Sequence, residues 1–183
     1  MNIEKIRDSL ERLNSLYDEK QNEPDIDNFQ LSIYCKMAAL ELCGWLEEVH
    51  DELIKDILRS NQIPKEKIEE FEDMCIKEVY GLSYSKHFRL MLVNAIGFVG
   101  VVELEAKIQQ IESLKSILNE LHKYRNHLAH KQYLNYSEQN PINSQRKIDT
   151  PSVIKEKFNK IHPILAEIEK EICSFNLNTE SKT

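Results

Sequence analysis

The apolar residues of this chain recur at three- and four-residue intervals, the period of an α-helix with one buried face. Ile3, Ile6, Leu10, Leu13 and Tyr17 define a first helix with a charged back. The polar stretch Asn22 to Asn28 interrupts the pattern. A long second helix is then predicted from about Phe29 to about Ser60, with Met37, Leu42, Trp45, Val49, Leu53 and Ile57 on its apolar side. Pro64 suits a first helical turn and Gly81 a helix stop, so Pro64 to Tyr80 is expected to form a third, acidic helix. Its buried side would be Ile68, Phe71, Cys75 and Val79.

Beyond the cap region Ser83-Tyr84-Ser85, an apolar helix is predicted from Lys86 to about Ile108. Its Gly97 and Gly100 either admit a neighbouring helix closely or simply weaken this one. From Ser113 onwards Leu114, Leu118, Leu121, Tyr124 and Leu128 form one stripe, which carries a helix through to His130. The connection Leu134 to Asp149 is rich in Asn, Ser and Gln and contains Pro141; a lip over a substrate and disorder are the two expectations for it. Pro151 opens the last helix, with Asp149 and Thr150 as caps. Ile154, Phe158, Ile161, Leu165, Ile168, Ile172 and Phe175 follow it in four-three alternation, as either a bundle seam or a dimer seam. Pro163 predicts a kink within that helix. No segment reads as a strand, so the fold class is all-α: an antiparallel helical bundle of about five to six helices. One domain covers residues 1–175, and a flexible tail covers 176–183.

Composition narrows the partners. A net charge of −7 argues against broad attraction to nucleic acid, so any RNA contact must rest on a local patch. Lys123, Arg125 and Lys131 are candidates for that patch, although basic residues on a helix are more commonly just solvated. Cys35, Cys43, Cys75 and Cys173 form no Cys-x-x-Cys pair and read as reduced core residues of a cytoplasmic protein. The run Leu90 to Leu104 falls short of the roughly 20 residues a membrane span needs. It contains Asn94 and Glu103, and a buried core helix is expected there rather than a membrane segment.

Chemistry concentrates in Tyr124-Arg125-Asn126-His127-Leu128-Ala129-His130. Arg125 offers a permanently charged planar fork suited to phosphate, and His130 an imidazole that titrates near neutrality. Asn126, one turn before His130, can orient that imidazole or bind a phosphate; His122 lies a further turn back, and His127 is a neighbour. A metal site shared by His127, His130 and His122 is disfavoured, because no cysteine or carboxylate completes it within the motif. One Glu-x-x-His, Glu47 to His50, has no second copy; His50 is expected on the helix surface with Glu47 beside it. Glu41 is a candidate acidic accessory to the motif helix. The chain has neither a Gly-rich phosphate loop nor a dinucleotide fingerprint.

Arg125-Asn126-x-x-x-His130, inside an otherwise apolar helix of an all-helical chain, resembles the signature of the HEPN superfamily, the higher eukaryote and prokaryote nucleotide-binding domain. The resemblance implies a helical bundle, usually a homodimer, and in many members a metal-independent ribonuclease acting as a toxin or antiviral effector, held in check by an antitoxin or other regulatory protein. No cofactor is implied. Arg125, His130 and Asn126 would then be catalytic, with Lys123, His127, Lys131 and His122 contacting RNA. Five positions on a straight helix set Arg125 and His130 about 140° apart. Either the helix is distorted there, or a second subunit completes the site. The alternative is a non-catalytic module of the same architecture that binds RNA, nucleotide or protein. Exposure separates the two: a nuclease needs Arg125 and His130 open to a cleft at a dimer interface, whereas a structural pair is satisfied by intrachain carboxylates such as those of the second helix.

Overall fold

The computed structural model describes residues 3–25, 28–79, 81–130 and 149–173, apart from the side chains at 129, 130 and 173. It is an all-α bundle with no strand among those residues. Its helices are α1 (Ile3–Gln21), α2 (Asn28–Ser60), α3 (Lys65–Phe71), α4 (Arg89–Lys107), α5 (Ile111–His130) and α6 (Pro151–Cys173). The expectations for Lys131, for the connection up to residue 148 and for the tail at 176–183 lie outside the described residues.

The strut of the bundle is α2, 33 residues long, with α1, α5 and α6 packed along it. Leu42, Leu46, Leu53, Ile54 and Ile57 are almost completely withdrawn from water. Met37 departs from the expected stripe and stays 45% exposed, while Ala38 and Ala39 beside it take the core positions. Small residues there let the helices approach. Among the described residues the seam of α6 is intrachain: Ile154, Phe158, Ile161, Leu165, Ile168 and Ile172 are all buried in the bundle, which leaves none of these six for a dimer seam, and Phe175 lies outside the described residues. Phe158 packs edge-on against Trp45 of α2 at 5.4 Å and stacks on His162 at 5.1 Å. The helix runs on through Pro163 to Cys173.

The third helix is shorter than its pattern suggested. After α3 the chain takes a π-helical turn, Glu72–Ile76, and then a 3₁₀ turn, Lys77–Val79. A π turn holds more residues than an α turn, so the apolar face slips in register. Ile76 is consequently the buried residue, whereas Phe71 and Val79 pack only partly on the core and Ile68 and Cys75 are half-buried. A second π-helical turn, Tyr84–Phe88, leads directly into α4. Gly97 neither admits a neighbour nor sits passively in α4. At φ 74° and ψ 164° it breaks the helix, in a region only glycine enters cheaply, and nothing lies within 4 Å of where its Cβ would be.

That break has a consequence for exposure. Met91, Leu92, Val101 and Leu104 are buried, yet Phe98, Val99 and Val102 face outwards, so the apolar run is a core helix on one side only. Tyr84–Lys107 is long and apolar enough to cross a membrane, and 44% of its most apolar window is buried within the bundle. Three polar contacts fix the start of this segment. Tyr84 Oη donates to Glu105 Oε1 at 2.9 Å, Arg89 Nε donates to the same oxygen at 2.9 Å, and Lys115 Nζ of α5 stands 3.6 Å from it. One carboxylate therefore ties the Tyr84 turn, α4 and α5 together.

The core assignment sets two stabilities apart. Phe158→Ala, which empties a fully buried aromatic site, should cost about 3–5 kcal/mol of unfolding free energy in urea titrations. Met37→Ala should change it by less than about 1 kcal/mol.

Candidate functional site

The helix α5 is uninterrupted from Ile111 to His130, and its stripe Leu114, Leu118, Leu121, Tyr124 and Leu128 is buried as the pattern predicted. Its C-terminal half is also held from outside. The Tyr124 hydroxyl accepts the Asp149 backbone N–H at 2.8 Å, and Lys157 of α6 donates to Asp149 at 2.6 Å and to Glu120 at 2.8 Å. Thr150, not Asp149, caps α6 through its carbonyl, which accepts the Ile154 N–H at 3.1 Å. Asp149 instead joins the end of α5 to the start of α6.

A straight helix decides which motif residues can meet. At about 100° per residue, positions 119, 122, 123, 126, 127 and 130 fall within an arc of about 140°, and position 125 lies about 60° beyond its edge. Asn119, His122, Lys123, Asn126 and His127 line one side of a groove of about 650 Å³. Ser83, Ser85 and Lys86 line the other. Ser83 Oγ fastens the two walls by donating to Asn119 Oδ1 at 2.8 Å, a contact across 36 residues of chain. None of the eight lining residues is acidic, in a chain with 31 acidic residues and 24 Lys and Arg.

Arg125 points elsewhere. Its Nη2 stands 3.5 Å from Glu47 Oε1 on α2, and that oxygen is buried and makes no hydrogen bond among the described residues. Glu47 is thus the acidic partner of the motif helix. Glu41, on another face of α2, is exposed. Asn126 Nδ2 lies 3.3 Å from His122 Nε2, so the amide stands beside His122. Position 130 belongs to the groove arc by helix register, and the His130 side chain lies outside the described residues.

His50 corrects the expectation of a surface residue partnered by Glu47. It continues the stripe of Leu46, Leu53 and Ile57, is fully buried, and stacks on Phe88 with centroids 4.1 Å apart and planes 10° apart. Neither ring nitrogen has a hydrogen-bond partner among the described residues. Burial, and secondarily the charge of His87, lower its pKa to about 3, so it is a neutral aromatic at physiological pH.

The sequence pattern did not single out His87. Its ring sits 5.2 Å from that of His122, tilted by 58°, and its Nδ1 accepts the Ser83 N–H at 3.1 Å. Gly81 makes room for it: at φ 137° this glycine has the ring against its backbone, and a Cβ would lie 2.8 Å from ring atoms. Burial lowers the pKa of His87, with His122 and Lys86 adding to the effect. Burial also lowers that of His122, helped by Lys86 and Arg125 and opposed by Glu47. Both shifts favour the neutral imidazole. The buried thiols are inert, with burial pushing Cys35 up to about 11 and Cys43 up to about 12. No group of three His, Cys, Asp or Glu side chains among the described residues is arranged to hold a metal ion.

The chain matches no family model, no curated protein and no solved structure.

The buried imidazole makes stability depend on pH with a definite sign. His50 has its folded pKa below the unfolded value, so between about pH 6.5 and 3 the unfolded chain binds a proton that the folded chain refuses. Stability therefore falls as pH drops through that window. His50→Phe, which keeps the stack on Phe88, should flatten this part of the profile relative to the unaltered protein in urea titrations at pH 7, 6, 5 and 4. Parallel profiles for the two proteins would contradict the assignment.

Proposed function

We propose that the protein is a metal-independent endoribonuclease of HEPN type and that the groove along α5 is where it contacts RNA. The observation carrying this reading is the groove lining: imidazoles, amides and two lysines without a carboxylate, on a chain whose overall charge is negative. Such a local basic site is what RNA contact requires of an acidic protein. It contains four of the motif-region residues, His122, Lys123, Asn126 and His127, and by register it runs towards position 130.

In the reaction, the ribose 2′-hydroxyl attacks the adjacent phosphorus and the P–O5′ bond breaks, giving a 2′,3′-cyclic phosphate and a 5′-hydroxyl. An imidazole takes the 2′-hydroxyl proton, and a proton is delivered to the departing oxygen. Cationic groups stabilise the charge that gathers on the phosphoryl oxygens. His130 is the proposed proton-transfer residue and Arg125 the proposed charge stabiliser. On a helix uninterrupted from Ile111 to His130, positions 125 and 130 are set about 140° apart. The reading therefore includes a homodimer in which a second α5 completes the site. A toxin or antiviral role under the control of a regulatory protein follows from the family resemblance.

One observation favours a second reading, a non-catalytic RNA-binding module. Arg125 is already engaged by Glu47 of α2, the arrangement expected of a structural arginine. The two readings part in an assay of purified protein with total RNA. The nuclease reading expects cleavage that persists in a chelator, leaves 2′,3′-cyclic ends, and falls at least a hundredfold in His130→Ala. Mixing Arg125→Ala with His130→Ala subunits should restore part of the activity. RNA binding without cleavage would establish the module instead, and cleavage that needs an added divalent ion would overturn the proposed chemistry.

A further inference from the structure

The clearest chemical feature beyond the motif is the wall of the groove that faces α5. Lys86 and Lys123 stand on opposite walls, and neither ammonium has a carboxylate partner among the described residues. Three lysines elsewhere in the bundle are paired. Lys157 engages Asp149 and Glu120, Lys115 engages Glu105 and Glu112, and Lys55 engages Glu52 and Glu72. His122 lines the same groove; its ring is backed by His87 and its buried Nδ1 has no hydrogen-bond partner among the described residues. His87 is itself held by the Ser83 N–H and by the space that Gly81 leaves. Lys86 and Lys123 both line this one space, and Gly81, with its positive φ, accommodates the His87 ring.

We propose that the groove is a phosphodiester subsite complete within one chain, in which Lys86 and Lys123 hold the anion, His122 is the contacting imidazole and His87 is the positioning residue behind it. This deepens the ribonuclease reading and rests on it for the identity of the ligand as single-stranded RNA. It adds residues from the Gly81–His87 segment, outside the motif helix, and it does not need a second subunit.

An anion between the lysines changes the balance around the imidazoles. Lys86 and Arg125 oppose a proton on His122, and Glu47 favours it; Lys86 and His122 oppose one on His87, and His50 stays neutral. A bound diester offsets the lysines and favours protonation of His122. By linkage, affinity rises as pH falls below the ordinary histidine range.

The probe is a 2′-O-methyl uridine tetranucleotide without terminal phosphates. It lacks the nucleophile, so it is not cleaved, and its diesters do not titrate near neutrality. Binding to the full-length protein is followed through the histidine ring signals by NMR at several pH values. The ring signals of His122 should shift with the ligand, its pKa should rise on binding, and affinity should increase from pH 7.5 to 5.5. The double variant Lys86→Gln, Lys123→Gln should bind about tenfold more weakly, because two charge-assisted contacts are lost. His87→Ala should weaken binding and change its pH profile. His87→Asn, whose Oδ1 can accept the Ser83 N–H, should restore much of both. Unshifted His122 signals, or full affinity in the double lysine variant, would overturn the proposal. The nuclease reading fails separately: tetranucleotide binding with these dependences but no cleavage of total RNA removes the nuclease and leaves the subsite. Cleavage that depends on His130 but not on Lys86 and Lys123 removes the subsite and leaves the nuclease.

Discussion

The straightness of α5 through His130 governs what this protein can do with its polar residues. A helix that advances about 100° per residue sets positions 125 and 130 about 140° apart. It sorts the described motif-region side chains into two faces. Arg125 goes to α2, where it compensates a buried carboxylate oxygen of Glu47. Asn119, His122, Lys123 and Asn126 go to the groove. The five-residue buried stripe from Leu114 to Leu128 enforces this sorting, since turning the helix to bring Arg125 into the groove would expose leucines that are at most 5% accessible.

The facing wall is positioned by a different kind of interaction. The π-helical turn Tyr84–Phe88 has little sequence-local reason to sit against α5. It is held there by the Glu105 carboxylate, which gathers Tyr84, Arg89 and Lys115, and by the Ser83 to Asn119 hydrogen bond. Behind it, Phe88 stacks on the buried neutral His50 of α2. The groove thus depends on the core: the aromatic stack fixes the turn, the turn fixes His87, and His87 backs His122. Glu105 lies near the end of α4, beyond the break at Gly97, so that break belongs to the same arrangement.

Much of this fold was legible as periodicity. The boundaries of α2 and α6 and the buried stripes of α5 and α6 follow from apolar spacing, because long amphipathic helices have one way to hide their side chains. Two features were not legible. The slip that buries Ile76 in place of Cys75 comes from a π turn, which leaves no mark in a three-four pattern. The inward turn of His50 was obscured by residue type: histidine was read as polar, although its position continues the stripe of Leu46 and Leu53. The site was half legible. The motif named the α5 residues of the groove, whereas Lys86 and His87 become its neighbours only through contacts 32 or more residues away in sequence. The traces in that segment are the cap region Ser83-Tyr84-Ser85, where Ser83 Oγ accepts the Lys86 N–H, and Gly81, whose positive φ both stops a helix and seats the His87 ring.

The central claim is that this acid-free groove, rather than the exposed apolar side of α4, is the surface along which RNA is bound. It is tested most directly by photo-crosslinking a 4-thiouridine-substituted RNA to the purified protein and mapping the attached peptides by mass spectrometry. The account predicts crosslinks on the Ser83–Lys86 turn and on α5 between Asn119 and His127. Crosslinks concentrated on Phe98, Val99 and Val102, or an absence of crosslinks where RNA is bound, would contradict it.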